Sequence, residues 1–178
     1  MVHTSDAEKK ILVREGILFL CQWAVLCGIL MLVLAGGEHS LQALVSAHAQ
    51  LGLRVVGTHT SPLSPVQFWA ENKAVEISPL CSGLVEMILL ASAIAATPGF
   101  SWRKKIVGIA AGVALLYLFN IFRIIITVQQ LIHSPLSFAA FTHDVLFRIV
   151  LLAGFALLYG GWVNGSRLRA WARARQLL

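Results

Sequence analysis

The sequence predicts an all-α integral membrane protein with about four transmembrane helices, plus a short extracytoplasmic interfacial helix and a hairpin between the first and second spans. Three observations predict this class. The chain is 58% hydrophobic and only 12% charged, with a mean hydropathy of +0.80, whereas a soluble domain carries about 25% charged residues. Four stretches, at approximately 17–36, 80–97, 106–131 and 141–162, approach the roughly 20 apolar residues that cross a bilayer. Finally, the basic residues behind the net charge of +6 sit at the ends of those stretches rather than on one soluble face. That distribution argues against nucleic acid as a partner and for the lipid bilayer. All 178 residues read as a single membrane domain.

Span one follows Lys9, Lys10 and Arg14. Its apolar run exceeds the 7–15 residues of a signal-peptide core, and Leu34-Ala35-Gly36-Gly37 is a poor cleavage site, so it reads as an uncleaved span. Cys21 and Cys27 lie within it. With three cysteines in the chain and no CxxC pair, a disulfide framework is not indicated, and these two read as small buried hydrophobes. The segment 37–79 lies on the outer side. There Leu41, Leu44, Val45, Leu51 and Val55 predict the apolar stripe of an interfacial helix. Two prolines within 60–65 predict a break, and the runs 66–69 and 74–77 around Glu71-Asn72-Lys73 predict the hairpin.

Pro79 leads into span two, as proline is tolerated in a first helical turn. Arg103, Lys104 and Lys105 join spans two and three, and Arg167, Arg169, Arg173 and Arg175 follow span four within a basic cytoplasmic tail, 163–178. With the three basic residues before span one, ten of the fourteen Lys and Arg then share one side, which makes both termini cytoplasmic by the positive-inside rule. Trp102 and Trp162 fall at the inner ends of spans as interfacial anchors, and the tail around Trp171 reads as a helix on the inner surface.

Three reactive side chains in three different apolar segments reach one depth in this topology. Cys81 stands at the outer start of span two, and His143 in the first turn of span four. Arg123 lies 17 residues beyond Ile106, roughly 25 Å across a core about 30 Å thick. A charge at a span centre costs roughly 2.5–3.5 kcal/mol on insertion scales, so Arg123 calls for an explanation. A polar layer lies beneath. Glu86 and Arg148 are each five residues inward of Cys81 and His143, about 7 Å deeper. Arg148 has two candidate partners, Glu86 across the spans and Asp144 at i,i+4, while Asn120 shares a helix face with Arg123. Polar glue between spans accounts for this layer without any chemistry.

The chemistry follows from residue type. A thiol attacks as its thiolate, and a free cysteine titrates near about 8.5. An imidazole can take the thiol proton and return it to a leaving amine. Arginine stays protonated, so Arg123 is no base and instead holds either a developing oxyanion or the substrate backbone. A helix N-terminus at Cys81 would add free N–H groups.

These residues also resemble a known family. Cys81-Ser82-Gly83-Leu84 at the head of one span, Asn120-Ile121-Phe122-Arg123 in the next and His143 opening the following one are similar to exosortases and archaeosortases. The resemblance covers roughly 74–161 and implies Cys81 as nucleophile, Arg123 as oxyanion or substrate holder and His143 as acid/base; Asn120, Ser82 and Gly83 belong to the matching motifs, and Glu86, Asp144 and Arg148 of the polar layer are candidate supporting residues. It further implies a cysteine transpeptidase or protease of the plasma membrane. Its partners would be membrane-anchored proteins ending in a C-terminal sorting signal of short motif, helix and basic cluster. No cofactor is implied. Four spans rather than about eight imply a compact subfamily. Two rival classes are a non-catalytic assembly subunit, for which Cys81 is dispensable, and a haem or metal protein, which would show a Soret band or bound metal.

Overall fold

The computed structural model describes residues 6–134 and 147–175. Helix α1 spans Asp6–Leu34 and passes through a 3₁₀ turn, Ala35–Gly37, directly into α2, Glu38–Val55. Three short strands follow: β1 Thr60–Pro62, β2 Gln67–Ala70 and β3 Lys73–Glu76. A 3₁₀ turn, Pro79–Cys81, precedes α3, Leu84–Ala96, then α4, Trp102–His133, and finally α5, Phe147–Arg175. The chain is thus mostly helical. Two segments, Val13–Val55 and Trp102–His133, are long and apolar enough to cross a membrane, and Leu84–Ala96 and Ile149–Gly165 are shorter apolar helices. Exposed positions on the long helices are heavily apolar: Leu32 and Val33 on α1, Leu118 and Phe122 on α4, Leu152 and Leu157 on α5. A surface of this kind suits hydrocarbon rather than water.

Helix α3 packs between α1 and α4, with α5 against both α3 and α4. The end of the bundle around the α3–α4 connection is fastened by specific contacts. Thr97 Oγ1 hydrogen-bonds the Tyr159 hydroxyl at 2.9 Å, and Lys105 Nζ donates to the Ala95 carbonyl at 2.6 Å, capping the negative end of α3. The Trp162 ring packs on Gly108 of α4 and on Phe100, with ring centroids 4.8 Å apart in the latter pair. One turn further out, Leu90 and Ile94 of α3 cover Gly112. Both glycines of the Gly108–Gly112 pair are therefore used to seat the protein's own side chains. Trp162, expected as an interfacial anchor, serves this packing, while Trp102 at the start of α4 is exposed.

Several expectations are corrected. The predicted stripe of α2 holds for Val45, which is buried, and Leu41, which is partly buried against the core, but not for its other three residues. Its buried face is Gln42, Val45, Ser46, Ala49, Gln50 and Leu53, whereas Leu44, Leu51 and Val55 are exposed. The physical reason is that the buried face of α2 is set by packing against another helix. It packs against the middle and C-terminal part of α4, where His48 Nδ1 meets the Tyr117 hydroxyl at 2.6 Å, and Gln129 Nε2 donates to Thr58 Oγ1 at 2.5 Å. The proline-rich 60–65 segment does not end regular structure, because β1 pairs antiparallel with β2 in the register Thr60↔Ala70 and Pro62↔Phe68. Proline is tolerated there because β1 is an edge strand. Strand β2 turns through Glu71 and Asn72 and pairs antiparallel with β3. The basic tail is no separate element, since α5 runs on to Arg175.

The second apolar segment is corrected in a way that matters. Helix begins only at Leu84 and lasts 13 residues, about 20 Å, which is short of a core about 30 Å thick. Residues 79–83 precede the helix as a 3₁₀ turn and a left-handed glycine. Cys81, Ser82 and Gly83 are buried, whereas Pro79 and Leu80 are exposed.

Candidate active site

Cys81 ends the 3₁₀ turn rather than opening α3. Pro79 presets the turn, Cys81 N–H donates to Ser78 O at 2.9 Å and Ser82 N–H donates to Pro79 O at 3.2 Å. These two amides are occupied, so the expected supply of free N–H groups at Cys81 is corrected. Gly83 then adopts φ +76°, a left-handed conformation that favours glycine. A Cβ at this position would also lie 3.1 Å from the Asn120 amide. One glycine thus reverses the chain direction and admits α4 against the cysteine turn.

Asn120 fills that gap. It is buried and its Nδ2 donates to the Cys81 carbonyl at 2.9 Å. Ser82 Oγ donates to Pro79 O at 2.7 Å and accepts from Leu84 N–H at 3.3 Å, closing the turn. The roles of Asn120, Ser82 and Gly83 in this geometry are to hold the Cys81 backbone in place. Ser78 was not anticipated from sequence. Its hydroxyl donates to Cys81 Sγ at 3.2 Å, a bond that strengthens when the acceptor is anionic. The signal was present as a serine three residues before the cysteine across a proline, since a 3₁₀ turn aligns i with i+3.

Arg123 lies three residues beyond Asn120 on the same face of α4, about 4.5 Å further along the axis. It is only 4% exposed, yet among the described residues its Nε and Nη2 have no hydrogen-bond partner. Asn120 Oδ1 is likewise unsatisfied. Buried donors are normally paired, so these exceptions call for a physical explanation. Cys81 lines a cavity of about 200 Å³ together with residues 74–77 and Ile124, Thr127, Val128 and Leu131 of α4. Glu86 is half-buried in the first turn of α3. His143 and Asp144 lie outside the described residues, as does the Arg148 side chain, so the partner of Arg148 falls outside them too.

A family model of transmembrane exosortases matches residues 12–160. The chain belongs to the transmembrane exosortase family. No curated protein and no solved structure matches it. The matched region takes in Cys81, Asn120, Arg123 and His143 and stops before the basic end of α5. As an exosortase it is a membrane protein, and the family is associated with the processing of sorting signals.

Proposed function

We propose that this exosortase is a membrane-embedded cysteine transpeptidase or protease that cleaves the C-terminal sorting signal of exported proteins near the outer membrane–water boundary. The observation that carries the reading is the buried guanidinium of Arg123, with two donors unpartnered among the described residues, one helical turn from the asparagine that clasps the Cys81 carbonyl. Oriented, desolvated donors of this kind stabilise charge that develops on a carbonyl oxygen. The occupied amides of Cys81 and Ser82 leave that task to the guanidinium.

In this mechanism Cys81 Sγ attacks the scissile carbonyl carbon while His143 accepts the thiol proton. Arg123 holds the oxyanion, the C–N bond breaks, and His143 returns the proton to the leaving amine. The product is a thioester between Cys81 and the new carboxyl end of the exported protein. An acceptor nucleophile, or water, then attacks the thioester and releases the thiol. Ser78 donates to sulfur before attack, and Asp144, Glu86 and Arg148 form the supporting polar layer. The substrate helix carries its motif just outside the bilayer, where the site would lie if four spans place both termini in the cytoplasm.

The test replaces Cys81 by alanine and by serine, and follows candidate proteins ending in motif, helix and basic tail. Both variants are expected to accumulate in the membrane and to leave the substrate full-length on immunoblots. Continued maturation in both would remove Cys81 as the nucleophile.

A further inference from the structure

The cavity beside Cys81 is bounded on one side by a strand edge. Strand β3 is terminal in the order β1-β2-β3, so only one of its edges is used. Parity of the β2–β3 ladder shows which groups the other edge offers. Ile77 N–H donates to Val66 O at 2.9 Å, so 66 and 77 form a hydrogen-bonded pair. Register alternates from there, which makes 68 with 75 and 70 with 73 the bonded pairs, and 69 with 74 and 67 with 76 the non-bonded ones. The backbone N–H and C=O of Ala74 and Glu76 therefore point away from β2. Among the described residues none of these groups is taken by another bond. Ala74 and Glu76 also line the cavity that contains Cys81, and α4 forms the opposite wall.

At about 200 Å³ the space is smaller than the roughly 300–1,000 Å³ of small-molecule pockets. Its lining, residues of β3 on one side and of α4 on the other, suits an extended peptide with one side chain turned inward. Val75, Ile77, Ile124, Val128 and Leu131 make the inward surface apolar.

We propose that the substrate's recognition segment binds as a fourth strand on the free edge of β3, paired to the backbone of Ala74 and Glu76, and is thereby delivered in extended form to Cys81. This deepens the proteolytic reading above and rests on it. Strand addition supplies affinity through main-chain bonds, while side chains at every second position carry the specificity. The apolar wall then selects an apolar residue in the substrate at the inward position.

The probe is a secreted reporter fused to the C-terminal motif, helix and basic tail of an exported protein whose maturation the Cys81→Ala strain loses. Full-length Ala74→Pro removes one edge N–H without touching the β2 ladder, and is expected to process the reporter about tenfold less than Ala74→Val, which keeps that N–H. Independently, in a background with Cys21, Cys27 and Cys81 changed to alanine, Ala74→Cys and Glu76→Cys are cross-linked to a reporter carrying single cysteines along its motif. Moving the enzyme cysteine from 74 to 76 is expected to move the cross-linked reporter position by two residues. Normal processing by Ala74→Pro overturns strand addition, as does equal loss in Ala74→Val and Ala74→Pro. Cross-links that are absent or fail to shift overturn it also, even if Ala74→Pro misfolds. Maturation that persists in Cys81→Ala instead overturns the proteolytic reading itself, which keeps the two failures apart.

Discussion

Arg123 combines deep burial with two donors unsatisfied among the described residues, an arrangement that works against folding unless function retains it. Removing a buried, incompletely compensated charge in favour of an apolar side chain of similar length is often neutral or stabilising. Arg123→Met is therefore expected to match or exceed the native thermal midpoint in detergent, by thermal-shift measurement, while processing is lost. Arg123→Lys keeps the charge but loses the planar fork, and reporter processing should fall by at least about tenfold with membrane levels unchanged. Full processing in either variant would take Arg123 out of the reaction. At Gly83 the same scale shows why the CSG order matters: φ +76° and the Asn120 amide at van der Waals distance each disfavour any other residue.

Helix α2 shows how an element is specified by what it packs against. Its polar residues Gln42, Ser46 and Gln50 share the buried face with Val45, Ala49 and Leu53, and Gln50 Nε2 donates to Ser46 Oγ at 3.3 Å. Leucine is thus no guide to phase here. Leu53 is 0% exposed and belongs to the core cluster that also holds Cys81, Phe68 and Ile124, whereas Leu51 is 59% exposed. Leu53→Ala is expected to cost about 2–4 kcal/mol and Leu51→Ala less than about 0.5 kcal/mol, read as shifts in the unfolding midpoint of the detergent-solubilised protein. Equal effects would restore the interfacial stripe. Because the core cluster under α2 includes the cysteine turn, Leu53→Ala should also reduce processing.

For the whole molecule, one end is marked by the 97–105 connection and Trp162, and the other end by the sheet and Cys81. The proposed topology puts these ends on opposite sides of the membrane. In a background with the native cysteines changed to alanine, a membrane-impermeant maleimide applied to whole cells should label Lys73→Cys and spare Arg103→Cys until the cells are permeabilised. The reverse pattern would invert the orientation and set the catalytic proposal on the cytoplasmic face.

Apolar composition, span-length runs and clustered basic residues determined by themselves that this is a helical membrane protein, because a bilayer imposes its length and charge rules on any sequence that enters it. The ordered set Cys81, Asn120 and Arg123 was also legible, since polar groups in apolar runs stand out against a uniform background. Tertiary structure alone decided the phase of α2, the irregular stretch ahead of α3, the third strand and the donor from Ser78. Each of these depends on a partner distant in sequence or on a local turn that competes with helix. Gly108 and Gly112 make the same point, for their spacing permits any helix contact and only Trp162 and Leu90 in place show which one is made. The free edge of β3 beside Cys81 belongs to this second kind of knowledge, because hydrogen-bond parity exists only once the register is set.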